Sequence, residues 1–170
     1  MTRKLLLTGF AIAGLFFTAQ AQHSYKFGHV NSTQLLSMMP ETKSADSSLQ
    51  KFGLSLENQL KTMTGEYQNK ISDFKSKEAS MADPIKDSKL KEISDLEERI
   101  QTFQESAQSS MQKKKEELYT PILKKAEEAI NAVAKENKYS YIFDTGAGSL
   151  LFAQESDDVL PLVKSKLGLK

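Results

Sequence analysis

The residues most suggestive of chemistry lie near the C-terminal end of the chain, in the run Asp144-Thr145-Gly146-Ala147. This run matches the signature of aspartic proteases, in which two carboxylates share one proton. That chemistry requires the pair to lie at the centre of an extensive β-structure, whereas this chain has only short stretches of strand character. We therefore interpret Asp144 as part of a turn and predict that the protein is not an enzyme.

The other candidate chemical groups do not combine into a site. The chain has two histidines, His23 and His29, and no cysteine. Neither histidine has clustered carboxylates at metal-ligand spacing, and no phosphate-cradling glycine loop or nucleophile–base pair is present in the sequence. We therefore predict no metal and no cofactor.

The first 21 residues have the composition of a secretory signal peptide. Arg3 and Lys4 form a basic start, residues 5–17 form an apolar stretch, and Ala19-Gln20-Ala21 is a small-x-small cleavage site. The apolar stretch is shorter than the roughly 20 residues that span a bilayer. We expect cleavage, a mature chain that begins at Gln22, and export to the periplasm.

The charge of the mature chain argues against polyanionic partners. Loss of Arg3 and Lys4 leaves 21 of the 23 basic residues against 22 acidic ones, a formal charge of −1. Such a chain has no uniform field to attract nucleic acid or an acidic membrane. The absence of tryptophan and the 39% hydrophobic content suit long solvated helices better than a compact globule.

Two long runs carry apolar residues at steps of three or four. From Ala45 to Phe74, eight steps cover 29 positions, a mean period near 3.6, and a similar stripe runs from Ile93 to Val133. The two runs therefore predict long helices over about residues 42–81 and 86–137, roughly 60 and 80 Å in length at about 1.5 Å per residue. Each stripe is about one residue wide per turn, which is enough for a two-helix seam but not for a second layer.

The two stripes are mirror images along the sequence: apolar residues lie at equal distances before and after a point between Asp83 and Pro84, so that their residue numbers add to 167. A register shifted by about two turns matches nearly as well, so the stripes alone leave the pairing open. Pro84 favours a turn at this point because a straight helix does not easily absorb a proline. The sequence thus predicts an antiparallel helical hairpin, called the arm, over residues 41–137 with its tip near 82–85.

Short strand-like segments flank the arm. Residues 25–30 alternate between apolar and other side chains, which predicts a short half-buried strand. Residues 139–153 contain two apolar runs separated by a turn, which predicts a β-hairpin. So few strands per chain do not form an independently stable sheet, and their edges invite pairing. We therefore predict an α+β, mostly α, fold in which the arm projects from a small oligomeric β-body over residues 22–40 and 138–170. The oligomerisation candidates are Phe27, Val30, Tyr141, Phe143, Leu150 and Phe152.

Local signals mark several ends and breaks. Asn31, Ser32 or Thr33 can cap the first helix, Asp157 or Asp158 can cap the last one, and Gly168 can end it. The two hinge candidates are Pro40, which disfavours helix at the preceding residue, and Pro121, which lies inside the second stripe. Pro121 is compatible either with a fixed kink or with a hinge that widens a cavity.

With these features in this order, the mature chain resembles the Skp/OmpH family of periplasmic chaperones. The residues that carry the resemblance are Phe27-Gly28-His29-Val30-Asn31, Pro40-Glu41, Leu118-Tyr119-Thr120-Pro121-Ile122, Tyr139-Ser140-Tyr141-Ile142-Phe143-Asp144 and Lys166-Leu167-Gly168. The resemblance implies a homotrimer with a small β-body and three helical tentacles around a cavity. It also implies ATP-independent holding of unfolded outer-membrane β-barrel proteins.

The sequence departs from the family pattern at two places. Asn31 stands where the family usually has aspartate, and it retains the ability to cap a helix. Well-known members are strongly basic with positive arm tips, whereas residues 70–95 here contain six lysines balanced by six acidic residues. The balance argues against a lipopolysaccharide or anionic-lipid role.

The candidate client contacts are Phe52, Leu54, Met63 and Met81. When the two helices are paired by this reflection, Phe52 lies opposite Lys115 and lacks an apolar partner. Leu54 lies off the stripe. Methionine adapts to many partners, although each of these stripe residues could instead serve only the seam. The alternative function is a structural or adaptor coiled coil of the cell envelope. A fixed partner usually leaves an unbroken apolar outer stripe or a marked charge pattern, and neither is seen.

Overall fold

The computed structural model describes residues 25–148 and 150–169, so the expected signal peptide and the new N-terminus lie outside the described residues. Single 3₁₀ turns at Glu78–Ser80 and Glu155–Asp157 supplement the regular elements. The regular elements of the described chain are β1 (Phe27–Val30), α1 (Ser32–Met38), α2 (Pro40–Lys77), α3 (Asp83–Glu136), β2 (Tyr141–Asp144) and α4 (Leu160–Leu167).

The helices α2 and α3 form the long antiparallel hairpin, which confirms the predicted fold class. They contain 38 and 54 residues and are therefore about 57 and 81 Å long at about 1.5 Å per residue. The chain reverses over residues 78–82, which overlaps the predicted tip only at Ala82. Pro84 lies in the first turn of α3, where a missing N–H leaves no helical hydrogen bond unmade.

Cross-helix contacts define the register that the sequence left open. Near the body Tyr119 donates a hydrogen bond to Asp46, and near the tip Lys70 lies 3.0 Å from Glu92. The residue numbers in these contacts add to 165 and 162, against 167 for the reflection read from the sequence. The contact near the body is therefore two positions from the reflected register, and the contact near the tip is five positions from it, which is more than one helical turn.

The seam of the arm is only half-buried along most of its length. Ala45 is the one buried residue of α2, and the buried residues of α3 are Leu96, Ile122, Ala126, Ala129 and Val133. All of these except Leu96 belong to the core at the base of the arm. Beyond this base the hairpin is a single pair of helices, because the described chain supplies no second layer.

In the body, β1 and β2 pair in parallel, with Phe27 opposite Tyr141 and Val30 opposite Asp144. The chain leaves the body along α2 and returns to it along α3, and β2 then runs in the same direction as β1. The core beneath the sheet joins all parts of the body, and its fully buried members include Leu35, Met39, Val159 and Val163.

Of the predicted cap residues, Asn31 caps α1: its side chain accepts a hydrogen bond from the Gln34 N–H at 2.9 Å. The cap residue of α4 is Val159, and Asp158, one position earlier, accepts a hydrogen bond from the Leu160 N–H at 2.8 Å. Met39 is extended between α1 and α2, directly before Pro40. Gly168 ends α4 with φ 68°, a left-handed conformation that favours glycine.

The predicted β-hairpin after β2 is wrong. Residues 150–153 form no strand, and Leu151 and Phe152 are 100% and 79% exposed. Their apolar pattern suits a strand, but a strand needs a hydrogen-bonded neighbour, and the sheet of the described chain consists of β1 and β2 alone.

The helical conformation of α3 continues through Pro121, which can donate no hydrogen bond to the carbonyl of Glu117. None of the helices in the described part of the chain is long and apolar enough to cross a membrane.

Candidate functional site

Four aromatic side chains form one outward surface of the sheet, called here the aromatic face: Tyr25, Phe27, Tyr141 and Phe143. Alternation along each strand turns Gly28, Val30 and Ile142 toward the core and these rings away from it. The centroids of the Phe27 and Tyr141 rings are 5.8 Å apart, and those of Tyr141 and Phe143 are 6.3 Å apart. The rings therefore form a continuous apolar surface.

This aromatic face is uncovered in the single chain. The exposed fractions of its four side chains lie between 46% and 60%. Contiguous exposed apolar patches of this kind mark interaction sites on soluble proteins. The nearby exposed residues Leu151 and Phe152 add further apolar surface to the same body.

The six oligomerisation candidates have different positions in the structure. Phe27, Tyr141 and Phe143 lie together on the aromatic face, Phe152 projects from the following loop, and Leu150 is partly buried. Val30 is 2% exposed and belongs to the core of its own chain, so its selection as a contact with another chain is corrected. The strand alternation that identifies Phe27 as outward-facing would also have identified Val30 as inward-facing.

Four exposed apolar residues of the body were not selected from the sequence: Tyr25, Met38, Leu151 and Leu162. Tyr25 precedes Phe27 by two positions, which is the spacing of one strand face, and this signal was available. Leu151 lies between the two selected residues of its run and is 100% exposed.

On the arm, the four client-contact candidates differ in exposure. Leu54 is 51% exposed, as expected for an off-stripe position, whereas Phe52, Met63 and Met81 are partly buried. Met63 lines a shallow groove of about 400 Å³ together with Phe103 on α3. Three further off-stripe residues, each at least 50% exposed, were not selected from the sequence: Ile85, Leu90 and Leu123.

At the base of the arm, two cross-helix contacts lie on either side of Pro121. Tyr119 donates a hydrogen bond to Asp46, and this bond raises the pKa of the tyrosine. Lys125 forms an ion pair with Glu41, and the hydrogen bond between them lowers the pKa of that carboxyl. Pro121 remains a hinge candidate, and opening a hinge there would have to break these two contacts.

Asp144 has a structural environment that differs from a protease site. Its Oδ1 accepts hydrogen bonds from the N–H groups of Ser32 at 3.1 Å and Gly146 at 2.8 Å, and its Oδ2 accepts one from the Ser32 hydroxyl at 2.6 Å. Partial burial raises the pKa of Asp144, but these hydrogen bonds outweigh it and hold the pKa below its usual value. The carboxylate therefore ties the loop after β2 to the start of α1.

Asp144→Asn is expected to lower the free energy of unfolding by about 1.5–3 kcal/mol, the range for hydrogen bonds to a charged group. Because the folded-state pKa is depressed, the stabilisation is complete above the ordinary aspartate pKa of about 3.9. It is lost as the pH falls through the folded-state value. Urea unfolding of both proteins between pH 7 and pH 3 measures this difference.

Ser32→Ala is the matched control, since it removes one donor and keeps the carboxylate. It should reproduce part of the loss at pH 7. A gap between wild type and Asp144→Asn that stayed constant down to pH 3 would contradict the assigned role of the ionised carboxylate.

The fold and these surfaces define a class of protein: a long helical hairpin that stands on a small β-containing body and exposes apolar side chains on both parts. Within residues 25–148 and 150–169 there is no group of three or more histidine and acidic residues that could hold a metal ion. The family model described as Outer membrane protein (OmpH-like) matches residues 26–167, and the chain belongs to this family. This confirms the resemblance found in the sequence.

A solved structure provides a second comparison. The chain is similar to the crystal structure of a protein from Caulobacter crescentus that is assigned as an OmpH-like outer membrane chaperone. The two share 14% sequence identity and a TM-score of 0.74, over 84% of this chain and 83% of the other. This likeness supports the fold. No curated protein matches the sequence.

Proposed function

We propose that this protein is an ATP-independent periplasmic holdase that binds unfolded outer-membrane β-barrel proteins between helical arms and prevents their aggregation. The observation that carries the proposal is the open arm, whose half-buried seam and exposed off-stripe leucines offer distributed apolar contacts along about 57 Å of paired helices. Weak contacts spread over such a surface accept many sequences, whereas a shaped pocket selects one.

Membership of the OmpH-like family, a family of chaperones, supports this proposal. The cavity between arms requires several copies of the chain, and the uncovered aromatic face supports their association through the body. We assign the assembly as a homotrimer on the family resemblance. No catalytic step and no cofactor are part of the proposed mechanism, and the balanced charge of the arm tip gives no role to lipopolysaccharide.

The test of the holdase function is light scattering of an eight-stranded outer-membrane β-barrel protein diluted from urea, without nucleotide. The protein should suppress scattering at about one trimer per client. Sedimentation of the same mixture should show both proteins in one soluble complex. An adaptor coiled coil with a single fixed partner would leave client aggregation unchanged, and that result would reject the holdase.

Replacing both Phe52 and Leu54 with serine is expected to weaken client binding about tenfold. Full burial of such a side chain contributes about 1.5–3 kcal/mol, and two partly exposed ones offer a part of this to a client, while about 1.4 kcal/mol corresponds to tenfold. The affinity can be measured by fluorescence of a labelled client.

The control variant is Leu162→Ser on α4, which removes an exposed leucine from the body instead of the arm. It should leave client affinity unchanged, and all variants should sediment like the wild type. Equal client affinity of the arm variant and the wild type would exclude these two residues as contacts.

A further inference from the structure

The outer part of the arm contains a cleft between α2 and α3 with a volume of about 700 Å³. Its size is within the range of about 300–1,000 Å³ that is typical of ligand clefts. The cleft, called here the Gly65 cleft, is open where Gly65 stands, because a Cβ added at this position would meet no atom within 4 Å. The other glycine inside α2 differs, since a Cβ at Gly53 would contact Met111 at 3.6 Å.

The lining of the Gly65 cleft combines apolar and charged groups. Ile93 is the apolar side chain of the lining, and Gly65 adds no side chain. The polar and charged lining residues are Thr62, Glu66, Asn69, Lys70, Asp73, Lys89 and Glu92. Among these, Lys70 lies 3.0 Å and Lys89 3.3 Å from Glu92, and the hydrogen bonds from these two lysines hold the pKa of Glu92 below its usual value. The two ammonium groups are therefore held at the cleft by a shared carboxylate.

We propose that the Gly65 cleft is a subsite that takes one aromatic side chain, tyrosine or tryptophan, from a held outer-membrane protein. The inference rests on the proposed holdase function and adds a preferred chemical class of client residue to it. Outer-membrane β-barrels carry girdles of aromatic residues at both membrane interfaces, so an unfolded client offers many such side chains.

The composition of the cleft favours an aromatic occupant over an aliphatic one. An amphipathic ring buries its apolar body against Ile93 and keeps its polar tip at the charged rim. A lysine ammonium is attracted to the face of a ring, as the body of this protein shows: Lys26 lies 4.0 Å from the centroid of the Tyr139 ring. An aliphatic side chain would desolvate the lysines and Glu92 without such compensation.

The test is Gly65→Leu, which fills the cleft from its open side. Leucine is a better helix former than glycine, so the arm is expected to keep its helical content, and circular dichroism checks this. The matched control is Thr64→Leu, which adds the same side chain at an exposed neighbouring position outside the cleft. Gly65→Leu should weaken binding of a urea-unfolded eight-stranded β-barrel about tenfold, and Thr64→Leu should not weaken it.

A second client, with its girdle tyrosines and tryptophans replaced by leucine, tests the chemical class. The wild type should bind it more weakly than the first client, and Gly65→Leu should bind it as the wild type does. Equal losses for both clients would show that the occupant is not aromatic and would overturn the proposal.

Two other outcomes separate a failure of the proposed subsite from a failure of the proposed function. If Gly65→Leu binds the first client as Thr64→Leu does, the cleft is no subsite, although the holdase stands. If the wild type fails to suppress aggregation of either client, the proposed function fails and the subsite with it.

Discussion

Replacing Tyr141 and Phe143 with aspartate is expected to convert the proposed assembly into single chains, with an association constant at least about 100-fold lower. Both rings lie on the aromatic face, with 58% and 46% of their surface exposed in the single chain. Sedimentation velocity at several protein concentrations measures the change directly.

The expected effect follows from the sheet. Parallel strands occur almost only in sheets that are covered on both faces, yet in the single chain only the inner face of β1 and β2 is covered by the core. A second copy on the aromatic face would complete the cover. Loss of each half-exposed ring removes roughly 1 kcal/mol of apolar burial, and an unpaired aspartate buried there costs several kcal/mol more.

The control is Leu123→Asp, which places one aspartate on a similarly exposed apolar position of α3 in the arm. It should leave the association constant unchanged. The prediction is contradicted if the Tyr141 and Phe143 variant sediments as the wild type does.

The hairpin could be predicted because its evidence is local and repeated. A period near 3.6 over 29 positions predicts a helix whatever the helix packs against, and Pro84 marks the region of the reversal. The turn lies slightly earlier than predicted because proline is accepted in the first turn of a helix and therefore lies after the reversal.

The failures arose where the answer depends on groups distant in sequence. Residues 150–153 have strand composition, but whether they form a strand depends on a hydrogen-bonded neighbour. Asp144 was correctly interpreted as part of a turn, but its hydrogen bonds to Ser32, 112 positions away, could not be read from the sequence. The Gly65 cleft likewise depends on the register of α2 against α3, which the two equivalent stripes left open.

Gly28→Ala is expected to destabilise the body by about 1–3 kcal/mol, the range for a methyl group forced into a packed core. The added Cβ would lie 2.9 Å from Tyr139 Cε1 and 2.9 Å from Val159 Cγ1. Neither neighbour can yield easily. Val159 is fully buried and its N–H donates a hydrogen bond to the carbonyl of His29, while the Lys26 ammonium lies over the Tyr139 ring, 4.0 Å from its centroid.

The matched control is Gly53→Ala, in which the added Cβ makes an ordinary contact of 3.6 Å with Met111. This variant should stabilise the chain by up to about 1 kcal/mol, because alanine is the better helix former. The two substitutions are chemically identical and have opposite expected signs, so urea unfolding of both separates crowding at Gly28 from any general effect of the added methyl group.

Replacing Val159 with a smaller residue tests whether crowding causes the destabilisation by Gly28→Ala. Val159→Ala alone leaves a small cavity and should also destabilise the body, but combined with Gly28→Ala it makes room for the new methyl group. The double variant should therefore be more stable than the sum of the two single changes predicts, with a coupling of about 0.5–3 kcal/mol. Strict additivity would mean that the methyl group at position 28 does not press on Val159, and the close packing of β1 against the start of α4 would be wrong.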